Sequence, residues 1–227
     1  MDKINVIAAF LLASTFCVGM RAQDQAQQTS PDVMNFVMDM AMDHDSHLIP
    51  PVTLAELEST ASQLESAKRA TEKYKDLHVA EADGYRAIGP AIPGMGVHYV
   101  RVAGDQRFRA GFRSSELDVE HPAILLYEKD PSSPAGYSLI GVSYLINAEA
   151  DADGQPENPP FPKSLAHWHR HSNICLFPDR SVKGSLTADQ CNSEGGRFIA
   201  LTQWMIHAWI WKDSPTGVFS PTNPNVQ

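Results

Sequence analysis

The stretch TLAELESTASQLESAKRATEKYKDLHVAEADGY, residues 53–85, decides how the chain divides into helix and sheet. Thr53 and Glu56 form the pattern of a capping box, in which each side chain binds the other residue's backbone N–H. Helix-compatible positions on one face then recur every three or four residues: Leu54, Leu57, Ala61, Leu64, Thr71, Tyr74 and His78. This period predicts one helix of about 30 residues that ends near Gly84.

Beyond Gly84, short β-branched and aromatic runs are separated by Gly, Pro and Asp, which is typical of an antiparallel sheet. The strands predicted from these runs are Gly96–Val102, Ala123–Glu128, Tyr137–Asn147 and Leu165–Asn173. Phe198–Trp211 contains no Gly or Pro and is predicted to form a buried helix, and the tail from Asp213 is expected along the surface without regular structure. The predicted fold class is α+β, with a long N-terminal helix, an antiparallel sheet of about four or more strands and a C-terminal buried helix.

The N-terminal residues have the outline of a signal peptide. Lys3 precedes an apolar run from Ile4 to Val18, which is shorter than the roughly 20 residues that a membrane-spanning helix needs. Small and polar residues follow up to Ala22, where we place the cleavage. We therefore predict a signal peptide over residues 1–22, a flexible arm over 23–52 and a single α+β domain over 53–227.

The charge of the chain limits the classes of partner that we expect it to bind. The formal net charge is −9 at pH 7. An acidic surface repels nucleic-acid phosphates and anionic lipid headgroups, so we expect no nucleic-acid partner and no membrane association of the mature form. With the leader, this predicts a periplasmic or secreted soluble protein, of an oligomeric state that the sequence leaves open.

Two cysteines follow the predicted leader, Cys175 and Cys191. Outside the cytoplasm, such a pair separated by a polar loop is normally a disulfide. The alternative is that Cys175 joins the histidines as a soft metal ligand, although thiolates outside the cytoplasm tend to oxidise. We predict the disulfide.

The sequence His167-Trp168-His169-Arg170-His171 carries the sharpest functional signal. Alternate residues of a strand project to one face, about 6.6 to 6.8 Å apart at the backbone. Two such imidazoles can converge on one ion, whereas three in one strand cannot without bending it. We therefore expect two ligands from this strand and others from elsewhere.

Two other histidines and one carboxylate are candidates for the same site. His98 follows the glycines of Gly94-Met95-Gly96, which allow a close backbone approach, and His207 lies in an apolar run where a lone imidazole is costly to bury. Glu128 follows the apolar run from Ala123 and could be a ligand, a partner of an imidazole, a catalytic group or a solvated strand end. A backbone hydrogen bond would also satisfy either histidine.

Imidazoles with at most one carboxylate suit zinc or copper and not calcium or magnesium, which prefer oxygen ligands. An open coordination position would permit catalysis, but the sequence names no reaction: it has no Gly-x-Ser-x-Gly, phosphate-binding glycine loop, His-Glu-x-x-His or haem attachment motif. The alternatives are a small-molecule pocket lined by the same histidines and tryptophans, or a structural exported protein whose core histidines are hydrogen-bonded.

Several blocks resemble a widespread family of exported bacterial proteins with no assigned activity. These are AEADGY at 80–85, GMGVHY at 94–99, LLYE at 125–128, WHRHSNIC at 168–175 and HAWIW at 207–211, so the resemblance covers about residues 65 to 225. It favours His169 and His171 over His167 as ligands. It also implies that His98, Glu128 and His207 belong to the site, and it implies no reaction.

Overall fold

The computed structural model describes residues 51–102, 112–113, 117–166 and 168–227, with the backbone alone at 112–113. The predicted signal peptide, nearly all of the predicted arm, and His167 lie outside the described residues. Both N-terminal predictions, and that of a single domain over 53–227, therefore stay predictions. Within the described part of the chain, no helix has both the length and the apolar character needed to cross a membrane.

The N-terminal helical region begins where the capping box predicts. The backbone N–H of Glu56 donates to Thr53 Oγ1 at 3.2 Å, and that of Thr53 donates to a Glu56 carboxylate oxygen at 2.8 Å. The region is not one continuous helix, so that part of the prediction is wrong. It consists of helix α1 (Leu54–Thr71), a 3-10 turn (Glu72–Lys75) and helix α2 (Leu77–Ala82).

Asp76 explains the break in this helical region. Its backbone is extended, with φ −86° and ψ 108°, and its side chain accepts a hydrogen bond from the His78 N–H. An aspartate with extended backbone and this bond is an N-cap, so it starts a new helix. The preceding turn directs Tyr74 into the core, where it is buried.

The main sheet contains the six strands Tyr85–Ile92 (β1), Gly96–Arg101 (β2), Phe112–Arg113 (β3), Ile124–Lys129 (β4), Tyr137–Asn147 (β5) and Trp204–Ala208 (β9). Its order is β1-β2-β4-β5-β3, and β9 also pairs with β5. All pairings are antiparallel except that of β3 with β5. The α+β prediction and three of the predicted strands are therefore confirmed. Strand β1 was not predicted from the sequence, and its register with β2 is irregular between Ile88 and Ile92.

A smaller sheet has the order β7-β6-β8, formed by Ser172–Leu176 (β6), Val182–Lys183 (β7) and Arg197–Leu201 (β8). Helix α3 (Ala188–Ser193) carries Cys191 against it. Cys175 and Cys191 form a disulfide with a Cα–Cα distance of 5.5 Å, as predicted. Cys175 is thereby removed as a thiolate ligand. Closing a loop of this length stabilises the fold by about 3 kcal/mol in the chain-entropy account.

The predicted C-terminal buried helix over Phe198–Trp211 is wrong. The segment forms β8 and β9, and every residue of β9 is buried. A strand covered on both faces has an unbroken apolar sequence, which cannot be distinguished from a buried helix by period. The predicted strand Leu165–Asn173 is wrong in position, because regular pairing begins only at Ser172.

The tail after Asp213 also departs from the prediction, because it packs into the fold. Phe219, Asn223 and Val226 are buried. The Asn223 N–H donates to the Gly94 carbonyl at 2.7 Å, and the Trp209 N–H donates to the Val218 carbonyl at 2.9 Å. The tail thus covers the face of the main sheet that carries Leu126, Met205 and Trp209.

Candidate metal centre

His207 is the innermost of the candidate ligands. It lies in β9, opposite Ser143 of β5, and is only 1% exposed. Its Nδ1 lies 2.7 Å from the Pro221 carbonyl oxygen. A carbonyl can only accept, so Nδ1 carries the proton, and in the neutral ring Nε2 then presents a lone pair. Metal-binding histidines are oriented in this way, by donating the other ring N–H to a carbonyl or carboxylate.

His98 approaches this lone pair from another strand of the same sheet. It lies in β2, opposite Leu126 of β4, so that β4 and β5 separate its strand from β9. Its Nε2 is 3.4 Å from His207 Nε2. The two imidazoles therefore reach toward each other across two strands and bring together stretches of chain 109 positions apart.

The second pair of histidines is attached to the outer edge of β9. The His169 N–H donates to the Met205 carbonyl at 3.0 Å, and the Met205 N–H donates to the His169 carbonyl at 2.7 Å. Paired residues share a face of a sheet, and so do alternate residues of a strand. His169 and His171 therefore lie on the same face as His207, with only 7% and 8% exposure.

Three short centroid distances connect the four imidazole rings in a row. Ring centroids are 5.2 Å apart for His171 and His169, 5.3 Å for His169 and His207, and 5.5 Å for His207 and His98. In a tetrahedral centre with metal–nitrogen distances of about 2.0 to 2.1 Å, neighbouring ligand nitrogens lie about 3.3 to 3.4 Å apart. The His98–His207 nitrogen distance has this value, and it is longer than the roughly 2.7 to 3.2 Å of an ordinary hydrogen bond from an N–H group.

Burial keeps three of these imidazoles neutral, those of His98, His171 and His207. It lowers the pKa of His98 to about 4 and that of His171 to about 3, and it places the pKa of His207 well below its ordinary value. Repulsion from neighbouring histidines lowers all three further, with His169 the first contributor in each case. Neutral imidazole is the form that binds a metal ion, so these three side chains would not have to lose a proton near neutral pH in order to bind one.

The four imidazole rings lie close together, but their nitrogens are not arranged as a complete coordination sphere. In the described ranges 51–102, 117–166 and 168–227, no three His, Cys, Asp or Glu side chains as placed could hold a metal ion. The outer torsion of a histidine side chain is broad and turns at low cost. Closing a sphere around the His98–His207 pair therefore requires at least that the rings of His169 and His171 turn.

The two remaining candidates have different outcomes. His167 lies outside the described residues. The Glu128 carboxylate accepts hydrogen bonds from Lys212 Nζ at 2.6 and 2.7 Å. As a ligand it would have to leave this ion pair, so its role in the site stays a prediction.

Three contributors to the site were not found by sequence reasoning. Pro221 supplies the carbonyl that orients His207, and the neighbouring Ser220 carbonyl accepts from the Trp209 indole N–H at 2.7 Å. Ser143 lies opposite His207 in β5. The Pro-rich composition of the tail does not indicate that its residues are buried. It also does not indicate which backbone carbonyls contact an imidazole.

Comparison of the chain with family models, curated proteins and solved structures found no match. The resemblance to a family of exported bacterial proteins therefore stays a prediction. Function has to be inferred from the chemistry of the site.

Proposed function

We propose that this protein binds one transition-metal ion, zinc or copper, through His98, His169, His171 and His207. The observation that supports this most strongly is the His98–His207 pair. His207 donates from Nδ1 to Pro221, and its Nε2 faces His98 Nε2 at the separation of two ligands in a tetrahedral centre.

The donor set limits which ion the site would prefer. Four imidazoles are borderline ligands that suit zinc and copper, while calcium and magnesium require several oxygen ligands. The disulfide removes the two described cysteines as thiolates, so a sulfur-rich centre is not proposed. A closed four-histidine centre would stabilise or carry the ion, and catalysis would require an exchangeable position.

We also infer that the protein acts outside the cytoplasm. The leader predicted over residues 1–22 and the Cys175–Cys191 disulfide both favour an oxidising compartment, periplasmic or extracellular. Such a location would give the site access to metal ions that do not pass through the cytoplasm.

Metal content is the direct test of this proposal. Protein isolated without a polyhistidine tag is expected to contain about one zinc or copper per chain after exposure to the ion and removal of excess, by elemental analysis. A variant with His169→Ala and His171→Ala is expected to lose it, because two of the ligands are gone. His78→Ala is the matched control, since its side chain is 78% exposed on α2.

Wild-type protein that takes up neither ion, yet folds and stays stable, would contradict the metal proposal. The same histidines would then line a small-molecule pocket or serve as hydrogen-bonded core residues. The His98–His207 contact would in that case be an N–H···N bond, with His98 Nε2 as the donor.

A further inference from the structure

Ser143 lies on the face of the main sheet that carries His98 and His207, and none of the contacts described above involves its side chain. It lies in β5, opposite Ile124 of β4 on one side and opposite His207 of β9 on the other. Because residues that pair directly across strands share a face, its side chain lies on the same face as the imidazole of His207. The residue is completely buried, with 0% exposure.

The hydroxyl of Ser143 is unsatisfied in the described structure. Its Oγ has no hydrogen-bond partner among the described residues. Its neighbours along the strand on this face are Gly141, which has no side chain, and the apolar Leu145. Buried hydroxyls in proteins are nearly always bonded to protein or to ordered water, because leaving one dry costs free energy. The hydroxyl next to His207 therefore needs a partner that the described residues do not supply.

The four histidines differ in exposure. His98 is half-buried, whereas the other three are almost completely buried. Trp209 packs against this cluster, with its ring centroid 5.5 Å from that of His207. It packs where Gly141 has no side chain: a Cβ there would lie 3.2 Å from Trp209 Cε3 and 2.7 Å from the Ala208 carbonyl oxygen.

We propose that the Ser143 hydroxyl donates a hydrogen bond to a small exchangeable ligand of the metal ion: water or hydroxide at rest, and a small anion when one is present. The inference depends on the proposed metal site and adds to its four imidazoles a fifth, exchangeable coordination position, because a tetrahedral centre of four imidazoles alone would be closed. That position is what distinguishes a site able to act on a ligand from one that only holds an ion. The buried, unpartnered hydroxyl beside a proposed ligand is the observation that carries it.

Cobalt-substituted protein titrated with azide tests this inference, because cobalt(II) bound by nitrogen ligands has a visible spectrum that changes when an anion binds. Azide is expected to bind the wild-type cobalt protein. Ser143→Ala is expected to weaken azide affinity by about 3- to 10-fold, the range for one lost hydrogen bond, while cobalt stoichiometry stays at that of the wild type. Ser143→Thr, which keeps the hydroxyl, is expected to restore affinity.

The outcomes separate the two proposals. A wild-type protein that takes up cobalt and shows no change with azide would overturn the open position and leave the metal site standing. Equal azide affinity in the wild type and Ser143→Ala would overturn the role of the hydroxyl. Failure of the wild type to take up cobalt, zinc or copper would overturn both proposals.

Discussion

Zinc at about 100 times its dissociation constant is expected to stabilise the wild-type protein by about 2.7 kcal/mol, and His207→Asn is expected to lose that stabilisation. An ion that binds only the folded state raises the free energy of unfolding by mass action. Asparagine can still donate to the Pro221 carbonyl, as His207 Nδ1 does, but it lacks the Nε2 lone pair that faces His98. The measurement is urea unfolding with and without zinc.

The comparison is made within each variant, so any intrinsic effect of the substitution cancels. His121→Asn is the matched control, because this imidazole is 60% exposed and pairs with Asp118. It is expected to show the full wild-type response to zinc. A His207→Asn protein that zinc stabilises as much as the wild type would show that His207 is not a ligand.

Acid is expected to destabilise the metal-free protein strongly between about pH 6.5 and pH 3. An unfolded histidine titrates near pH 6.5, whereas the folded-state pKa of His98 is about 4 and that of His171 about 3. Above the unfolded pKa both states are neutral, and these groups make no pH-dependent contribution. Below the unfolded-state pKa the unfolded state binds protons that the folded state excludes. The free energy of unfolding therefore decreases as the pH is lowered, until the pH reaches the folded-state pKa.

The size of this effect follows from the pKa differences. Each unit corresponds to about 1.4 kcal/mol, so lowering the pH from about 7 to about 4 should cost several kcal/mol. Urea unfolding of chelator-treated protein across this range is the measurement. A double variant with His98→Gln and His171→Gln should show a shallower dependence, because two of the excluded protons are gone. Identical slopes in the variant and the wild type would contradict the burial of neutral imidazoles.

The candidate ligands could be found from the sequence because local rules place them. Alternation along an extended segment predicts His169 and His171 on one face. Their rings lie 5.2 Å apart, although regular strand pairing begins only at Ser172. An imidazole in an apolar run, such as His207, must have a partner wherever it is buried. The start of α1 and the disulfide follow from equally local chemistry: a capping box and a cysteine pair.

The remaining features depend on contacts between distant segments, which a single sequence does not display. The sequence of β9 is apolar apart from His207 and fits a helix as well as a strand. Only its pairing with β5 on one side and with His169 on the other decides between them. The Pro221 carbonyl reaches His207 because the tail folds back over the sheet. The break at Asp76 was missed because helical period continues through it, while an N-cap restarts the helix.

X-ray absorption spectroscopy of the zinc-loaded protein tests the four-histidine centre most directly. The four-histidine centre predicts a first shell of nitrogen ligands at about 2.0 to 2.1 Å with the outer-shell scattering of four imidazole rings, and no bound zinc with this signature in the variant with His169→Ala and His171→Ala, which is expected to lose the ion. A shell of oxygen ligands without imidazole scattering, or a spectrum that the double substitution leaves unchanged, would contradict it.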